Sequence, residues 1–290
     1  MTILHTYGKL KKKDEVIIME PFTLTSKEFF SLEGWEKNNS HLVAGFTTKN
    51  GGKSKDNLTS LNMAFHVNDA KETVVNNRQI LANKLAFPLT QWVGAEQTHQ
   101  HNILVVTNDH IGYGSHDYES AIKDTDGLFT FEKNVLLTLC YADCVPLYFI
   151  HPGTKAIGIA HAGWQGTVKL IAKEMIDVFT SYKIPVEEIQ VAIGPSITER
   201  HYIVDDRVIT EVDKIITDRN KVYHLVSPGQ YHLNLQEVNK QILLHAGILE
   251  RNIDITNYCT FHEDTYFFSH RRDKGNTGRM MSYIGWREGL

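Results

Sequence analysis

The sequence is poor in cysteine, with 3 among 290 residues. An odd number excludes a closed disulfide framework, so reduced thiols are expected. Long apolar runs are missing as well. The longest, residues 135–150, is interrupted by Asp143 and Pro146 and falls short of the roughly 20 residues a spanning helix needs. No membrane segment is expected. Neither sign of charge dominates: 30 basic against 34 acidic residues leave a net charge of -4, which gives no electrostatic footprint for nucleic acid or an anionic membrane. Near the N-terminus the apolar run at residues 16–19 is too short for a signal peptide, so the protein is expected to be unexported and cytoplasmic. Lys9 and the tract Lys11-Lys12-Lys13 read as a solvated face. Repeats, low-complexity tracts and Pro/Gly/Ser linkers are absent.

What remains is a composition able to bury a full core, at 42% hydrophobic and 22% charged residues. Length alone, at roughly 150 residues per domain, suggests about two domains, but without a linker one compact domain is expected. Strands are predicted at residues 41–47, 103–106, 134–141, 147–151, 155–161 and 189–193, several of them Val/Ile/Leu-rich and buried. Helices are predicted from residue 69 or 71 to about 84, at 167–182 with the stripe Leu170, Ile171, Met175, Val178 and Phe179, at 206–217, and at 235–245 between the cap Asn234 and the stop Gly247. The tail returns to strands at 253–260, 265–269 and 279–284. This mixture predicts an α+β domain with mixed β-sheets.

With 15 histidines against 3 cysteines, the chain is rich in the residue most often recruited as metal ligand and proton carrier. Three places stand out. Ala142-Asp143-Cys144-Val145-Pro146 puts a thiol at a strand end, as a small core hydrophobe, a ligand or a nucleophile; Cys140, inside the strand, reads as core filler. His161-Ala162-Gly163-Trp164-Gln165-Gly166 ends an apolar strand on an imidazole beside two glycines, which suits either an anion pocket or a tight turn with a satisfied histidine. Gln97-Thr98-His99-Gln100-His101 places two histidines on one face of an extended segment. Combined, His99, Cys144 and His161 supply a ligand set suited to zinc with one coordination position left open. At the C-terminus Arg271, Arg272 and Arg279 cluster around a glycine turn, fit either for bidentate anion capture or for a solvated hairpin.

Read in order, Thr47-Thr48-Lys49-Asn50-Gly51-Gly52 with Ser54, Ser60-Leu61-Asn62-Met63, His66-Val67-Asn68-Asp69 with Asn77-Arg78, Gln97-Thr98-His99, Asp126-Gly127-Leu128, Ala142 to Pro146, His161 to Gly166, Gly194-Pro195 and Phe267 to Arg272 resemble one family. It is the YfiH family, also called the multicopper polyphenol oxidase or laccase-domain family and now described as purine nucleoside phosphorylases. The resemblance runs from about residue 41 to the C-terminus, so residues 1–40 are expected as an N-terminal extension, free or packed on the domain, and 41–290 as the domain.

The resemblance implies a four-layer α/β/β/α fold and a zinc site, more so than copper, on His99, Cys144 and His161. It implies phosphorolysis of adenosine, inosine, guanosine and methylthioadenosine, together with adenosine deamination. On that reading His99, Cys144 and His161 are the catalytic residues, and Lys49, Arg78, Arg271 and Arg272 are expected to hold phosphate. Lys49, Gln100, Gln165 and His270 depart from the residues the family commonly carries there. Copper oxidation of phenols is the alternative, but a multicopper site needs several His-x-His pairs and this chain offers His99 and His101. A metal-free Cys144–His161 amide hydrolase or deamidase is the other.

Overall fold

A computed structural model of the chain describes residues 20–288; the apolar run at 16–19 and the lysines at 9 and 11–13 lie outside them. The apolar runs form two six-stranded mixed sheets. The first has the order β1 (Thr23–Ser26), β2 (Phe29–Ser31), β3 (Leu42–Thr47), β15 (Met280–Trp286), β7 (Leu136–Tyr141) and β4 (Trp92–Gly94). Its strands are antiparallel apart from the parallel pair of β4 and β7. The second runs β14 (Ile253–Ile255), β10 (Gln190–Ile193), β8 (Val145–His151), β9 (Ala156–Ala162), β6 (Gly127–Thr130) and β5 (Ile103–Val105), with parallel pairs at both edges. A small antiparallel sheet of β11 (Ile203–Asp205), β13 (Gln230–Leu233) and β12 (Tyr223–Ser227) stands beside them. The α+β class with mixed sheets is therefore the observed one.

The continuous apolar runs are explained by burial on both faces. In β7, Leu137, Leu139 and Tyr141 face the second sheet, while Leu136 and Cys140 face helix α2 (Lys71–Leu85). In β8, Tyr148 and Ile150 face the first sheet, while Val145, Leu147 and Phe149 face helices α4 (Ile171–Ser181) and α6 (Leu235–His245). The strand period of two thus divides the core into three apolar interfaces. Buried tyrosine hydroxyls find partners inside this stack: Tyr148 donates across to the Gly45 carbonyl at 2.7 Å, and Tyr141 to Ala160 at 3.2 Å.

Local signals explain the helix ends. Asn234 accepts from the Glu237 N–H at 3.0 Å to cap α6, and Gly247, with φ of 101°, stops it. Residues 20–40 pack on the domain, with β1 and β2 hydrogen-bonded onto β3 and Trp35 donating to Asp254 at 3.2 Å. Elsewhere the structure departs from the predicted elements. The helix predicted at 167–182 is two: α3 (Trp164–Val168) and α4, separated by Leu170 in the left-handed region at φ 64°. The division lets Trp164 and Gln165 line a cavity while the apolar stripe of Ile171, Met175, Ile176 and Phe179 packs on the second sheet.

Helix α5 (Asp206–Val212) stops short of residue 217. The strand predicted at 265–269 is a series of turns. Phe267 and Phe268 are buried pegs, but their N–H groups donate to the Glu263 carbonyl and the Met280 thioether sulfur rather than to the backbone of a neighbouring strand. No helix among the described residues is long and apolar enough to cross a membrane.

Candidate metal centre

Three elements converge at one end of the two sheets. Strand β9 carries His161 one residue before its end, on the inter-sheet face of Ile157 and Ile159 by strand alternation. Its ring meets Tyr141 at 5.3 Å and His99 at 4.8 Å between centroids. Cys144 occupies the turn between β7 and β8, and His99 lies in the loop after β4. One ligand atom from each of His99, Cys144 and His161 lies within 4.8 Å of the other two. Gly163 makes this approach possible: a Cβ there would stand 3.0 Å from Cys144 Sγ and 3.2 Å from His99 Cδ2. His101 is outside the cluster, its Nδ1 buried without a partner among the described residues.

Asp126 organises the cluster from behind. It is fully buried and accepts from His161 Nδ1–H at 2.8 Å, the His99 N–H at 3.1 Å, the Gln100 N–H at 2.8 Å and the Thr98 N–H at 3.1 Å. One carboxylate therefore fixes the His161 tautomer and the loop that carries His99, leaving His161 Nε2 for a ligand, the outer-shell pattern of a histidine metal site. Gln97 clips the same loop to β7, donating to the Cys140 carbonyl at 2.8 Å and accepting from its N–H at 2.7 Å.

The turn that presents Cys144 is held by Asp143, which adopts φ 85°, a left-handed conformation that aspartate tolerates better than most residues. Its carboxylate accepts from Thr260 at 2.7 Å, Ser269 at 3.0 Å and the Arg271 N–H at 2.7 Å. The Cys144 turn and the C-terminal loop are thus one unit.

Charges in the cluster are mutually supporting. Burial pushes the Cys144 thiol up, but the charge and hydrogen bond of His161, followed by His99, outweigh it and bring the pKa down to about 6. Burial likewise pushes His161 down, and Cys144 with Asp126 overrides it to about 9. For Asp126 burial opposes ionisation, yet the His161 bond and charge and the backbone N–H donors leave its carboxyl below the ordinary value. Two imidazoles and a thiolate with a carboxylate behind them fit zinc by donor chemistry.

The cluster opens into a cavity of about 600 Å³, within the ~300–1,000 Å³ range of small-molecule sites. Of the four residues expected to hold phosphate, Arg271 lines it; Lys49, Arg78 and Arg272 do not. Arg271 stacks over Tyr202 at 5.1 Å and donates to the Ile203 carbonyl at 2.9 Å. Arg78 is 4% exposed, donating to the carbonyls of Met63 at 2.9 Å, Gly114 at 2.5 Å and Ser115 at 3.1 Å. Arg272 donates to the carbonyls of Thr260, Phe261 and Phe267 and to Asp273. Arg78 and Arg272 thus direct their bonded donors to backbone carbonyls and Asp273 and do not line this cavity.

Asp126 and His66 stand in the sequence only within the family motifs, with no role marked by their neighbours. His66, Arg279 and Tyr202 also line the cavity. An acid opening the fully buried strand β6 was the available signal for Asp126, since a buried carboxylate needs several donors.

Residues 43–287 match the model of a family described as multi-copper polyphenol oxidoreductase laccase. The chain is 43% identical to the purine nucleoside phosphorylase YlmD of Bacillus subtilis over 92% of its length and 98% of that protein's. It is 48% identical to the YlmD phosphorylase of Geobacillus stearothermophilus over 85% of its length and 90% of that protein's. The crystal structure of Bacillus licheniformis hypothetical protein YfiH superposes with a TM-score of 0.89 at 43% identity, covering 92% of this chain and 99% of that one. With the family model spanning most of the chain and identities well above 30% over nearly whole relatives, the chain belongs to the YfiH family of laccase-like proteins.

Proposed function

We propose that the protein is a zinc-dependent purine nucleoside phosphorylase acting on adenosine, inosine, guanosine and methylthioadenosine, with adenosine deaminase activity besides. The observation that carries this reading is the convergence of His99, Cys144 and His161 at a cavity of nucleoside size that also carries Arg271. Relatives named purine nucleoside phosphorylase support it. The three cysteines, none of them in a disulfide, fit a cytoplasmic setting.

Phosphorolysis forms a bond from a phosphate oxygen to the anomeric carbon of the ribose and breaks the bond from that carbon to the purine nitrogen. The purine departs with the electron pair and takes up a proton. His99, Cys144 and His161 would hold zinc, which when bound supplies a Lewis acid able to polarise a substrate oxygen or activate water for deamination at the purine C6. The chain's own contribution is orientation and charge. Asp126 keeps the His161 proton on Nδ1, and Asp143 holds the Cys144 turn in register with Arg271. Arg271 presents a guanidinium to an incoming anion, while Trp164 and Tyr202 offer apolar faces to a base or ribose.

Purine release from inosine, measured with and without phosphate on zinc-loaded protein and on His99→Ala, tests this. Release is expected to require phosphate and to be lost in the variant. Phosphate-independent release, or full activity in His99→Ala, overturns the reading. Ammonia release from adenosine tests the deaminase activity separately.

The Cys144–His161 pair, with its lowered thiol and raised imidazole, favours a second reading as a nucleophile and base for amide chemistry. Loss of activity on chelation and its return with zinc would exclude that reading. Copper chemistry on phenols is the less favoured third: one three-donor group converges among the described residues, against the several that a multicopper centre requires. Metal analysis of protein purified without added copper separates the two metals.

A further inference from the structure

The same cavity holds a second group of side chains that the metal cluster does not use. Arg279 stands just before β15 and donates through Nη1 to the carbonyls of Thr277 at 2.8 Å and Gly278 at 3.1 Å. Its Nε and Nη2 have no partner among the described residues, and the side chain lines the cavity beside His66 and Cys140. Behind them lies Arg78, buried over the Phe65 ring at 4.2 Å and bonded only to carbonyls.

Among the described residues no carboxylate pairs with either guanidinium group; Arg279 feels the charges of Cys144 and Asp143, but burial outweighs them. Cys140 lies close enough to feel both, but burial outweighs their charges and keeps its thiol pKa above the ordinary value, so it stays neutral. The carboxylate of Asp143, also on the cavity, has its oxygens engaged by Thr260, Ser269 and the Arg271 N–H. The imidazole of His66 is held down to about 4 by burial first and then by Arg279 and Arg78, which reports a positive potential at this place. A desolvated guanidinium whose Nε and Nη2 lack hydrogen-bond partners is costly, and that open fork matches a tetrahedral oxyanion through two parallel bonds.

We propose that Arg279 and His66 form an oxyanion subsite that takes inorganic phosphate, with Arg78 supplying charge from behind and no contact. The subsite stands on the unpaired guanidinium and its surroundings; its service as the co-substrate pocket rests on the phosphorylase reading. This moves the phosphate contact away from Arg78 and Arg272, and inward from Arg271 at the exposed C-terminal loop.

Calorimetric titration of inorganic phosphate into the protein as purified tests the subsite without turnover. Arg279→Gln is expected to weaken phosphate binding by roughly 10-fold or more, as for loss of charge-assisted bonds. Arg279→Lys, which keeps the charge and loses the fork, should lie between it and the wild type. Phosphate affinity within about twofold of wild type in a folded Arg279→Gln protein, or absence of phosphate binding to the wild type, overturns the subsite. Should Arg279→Gln fail to fold, His66→Ala decides: weakened phosphate binding supports the site and unchanged binding refutes it.

Steady-state kinetics give the second readout, with KM for phosphate raised in Arg279→Gln and KM for the nucleoside little changed. Phosphate binding at Arg279 without purine release would refute the phosphorylase reading and leave the subsite standing. Phosphate-dependent purine release that ignores Arg279 would do the reverse.

Discussion

Cys140 and Cys144 lie four residues apart, line the same cavity and differ in nearly everything else. Cys144 sits among imidazoles with a carboxylate behind them, and His161 and His99 overcome its burial to favour the thiolate. Cys140 sits among guanidinium groups on the α2 side of the first sheet, yet burial wins and the thiol stays protonated. The residue type is shared; what separates the candidate ligand from the bystander is that imidazole bonds and charge outweigh burial at Cys144, whereas the guanidinium groups do not outweigh it at Cys140. Around Cys144 the protein supplies its own anions, Asp126 and the thiolate, whereas around Cys140 it supplies cations and leaves the anion to a ligand.

The strongest way to break this comparison is to remove a ligand on the Cys144 side. Cys144→Ala or His161→Ala is expected to abolish metal retention and to lower purine release by more than about 100-fold, because even outer-shell partners of metal ligands contribute 10- to 100-fold. Metal analysis alongside turnover checks it, and a Cys144→Ala protein that keeps its metal would dissolve the distinction between the two cysteines.

Next is the support behind the ligands. Asp126→Asn preserves shape but weakens the hold on the His161 proton and three backbone donors, so zinc affinity should fall about 10- to 100-fold, measured by competition with a chromophoric chelator. Gly163→Ala should act more mildly and through sterics alone, since its methyl would stand 3.0 Å from Cys144 Sγ. A several-fold weaker hold on metal with nearly unchanged thermal stability is the expected result.

On the Cys140 side the effect is on folding. Arg78→Met would leave three backbone carbonyls without their donor and is expected to cost about 3 kcal/mol of stability in urea unfolding, at about 1–3 kcal/mol per orphaned buried group. Metal content should be unchanged.

The smallest and sharpest test is chemical. In chelator-treated protein the Cys144 thiolate persists above its pKa of about 6 and is lost as pH falls through that value, so alkylation should remain fast at pH 7 and slow sharply below 6. Cys140, with its pKa raised, should react slowly throughout that range. Mass mapping of the labelled peptides distinguishes the two, and equal rates would show that the imidazoles do not act as argued.

Much of this architecture was legible beforehand because apolar runs and caps are local. The strands around Cys144, the α6 helix with its Asn234 cap, and the ordered motifs that resemble one family all rest on residues near each other in the chain. Other features were not legible for a physical reason. Leu170 breaks a helix whose periodicity runs straight through it, because α3 turns Trp164 and Gln165 to the cavity while the α4 stripe packs on the second sheet. The tail at 265–269 has the aromatic content of a strand, but Phe267 and Phe268 plug the space between the sheets while Ser269 bonds to Asp143. The arginines mislead in the same way. Sequence counts donors, and only the fold says whether carbonyls such as those of Met63 and Phe267 have already taken them.

By itself, then, the sequence determined most of the elements, the mixed-sheet class, the family and the candidate donor set of His99, Cys144 and His161, because periodicity, capping and motif order are properties of neighbouring residues. Tertiary structure alone decided that Asp126 stands behind both histidines, that Arg78 and Arg272 serve the fold, and that Arg279 meets His66 over open space. Those facts depend on which buried carbonyls and carboxylates distant segments bring within hydrogen-bond reach, and no spacing along the chain encodes that distance.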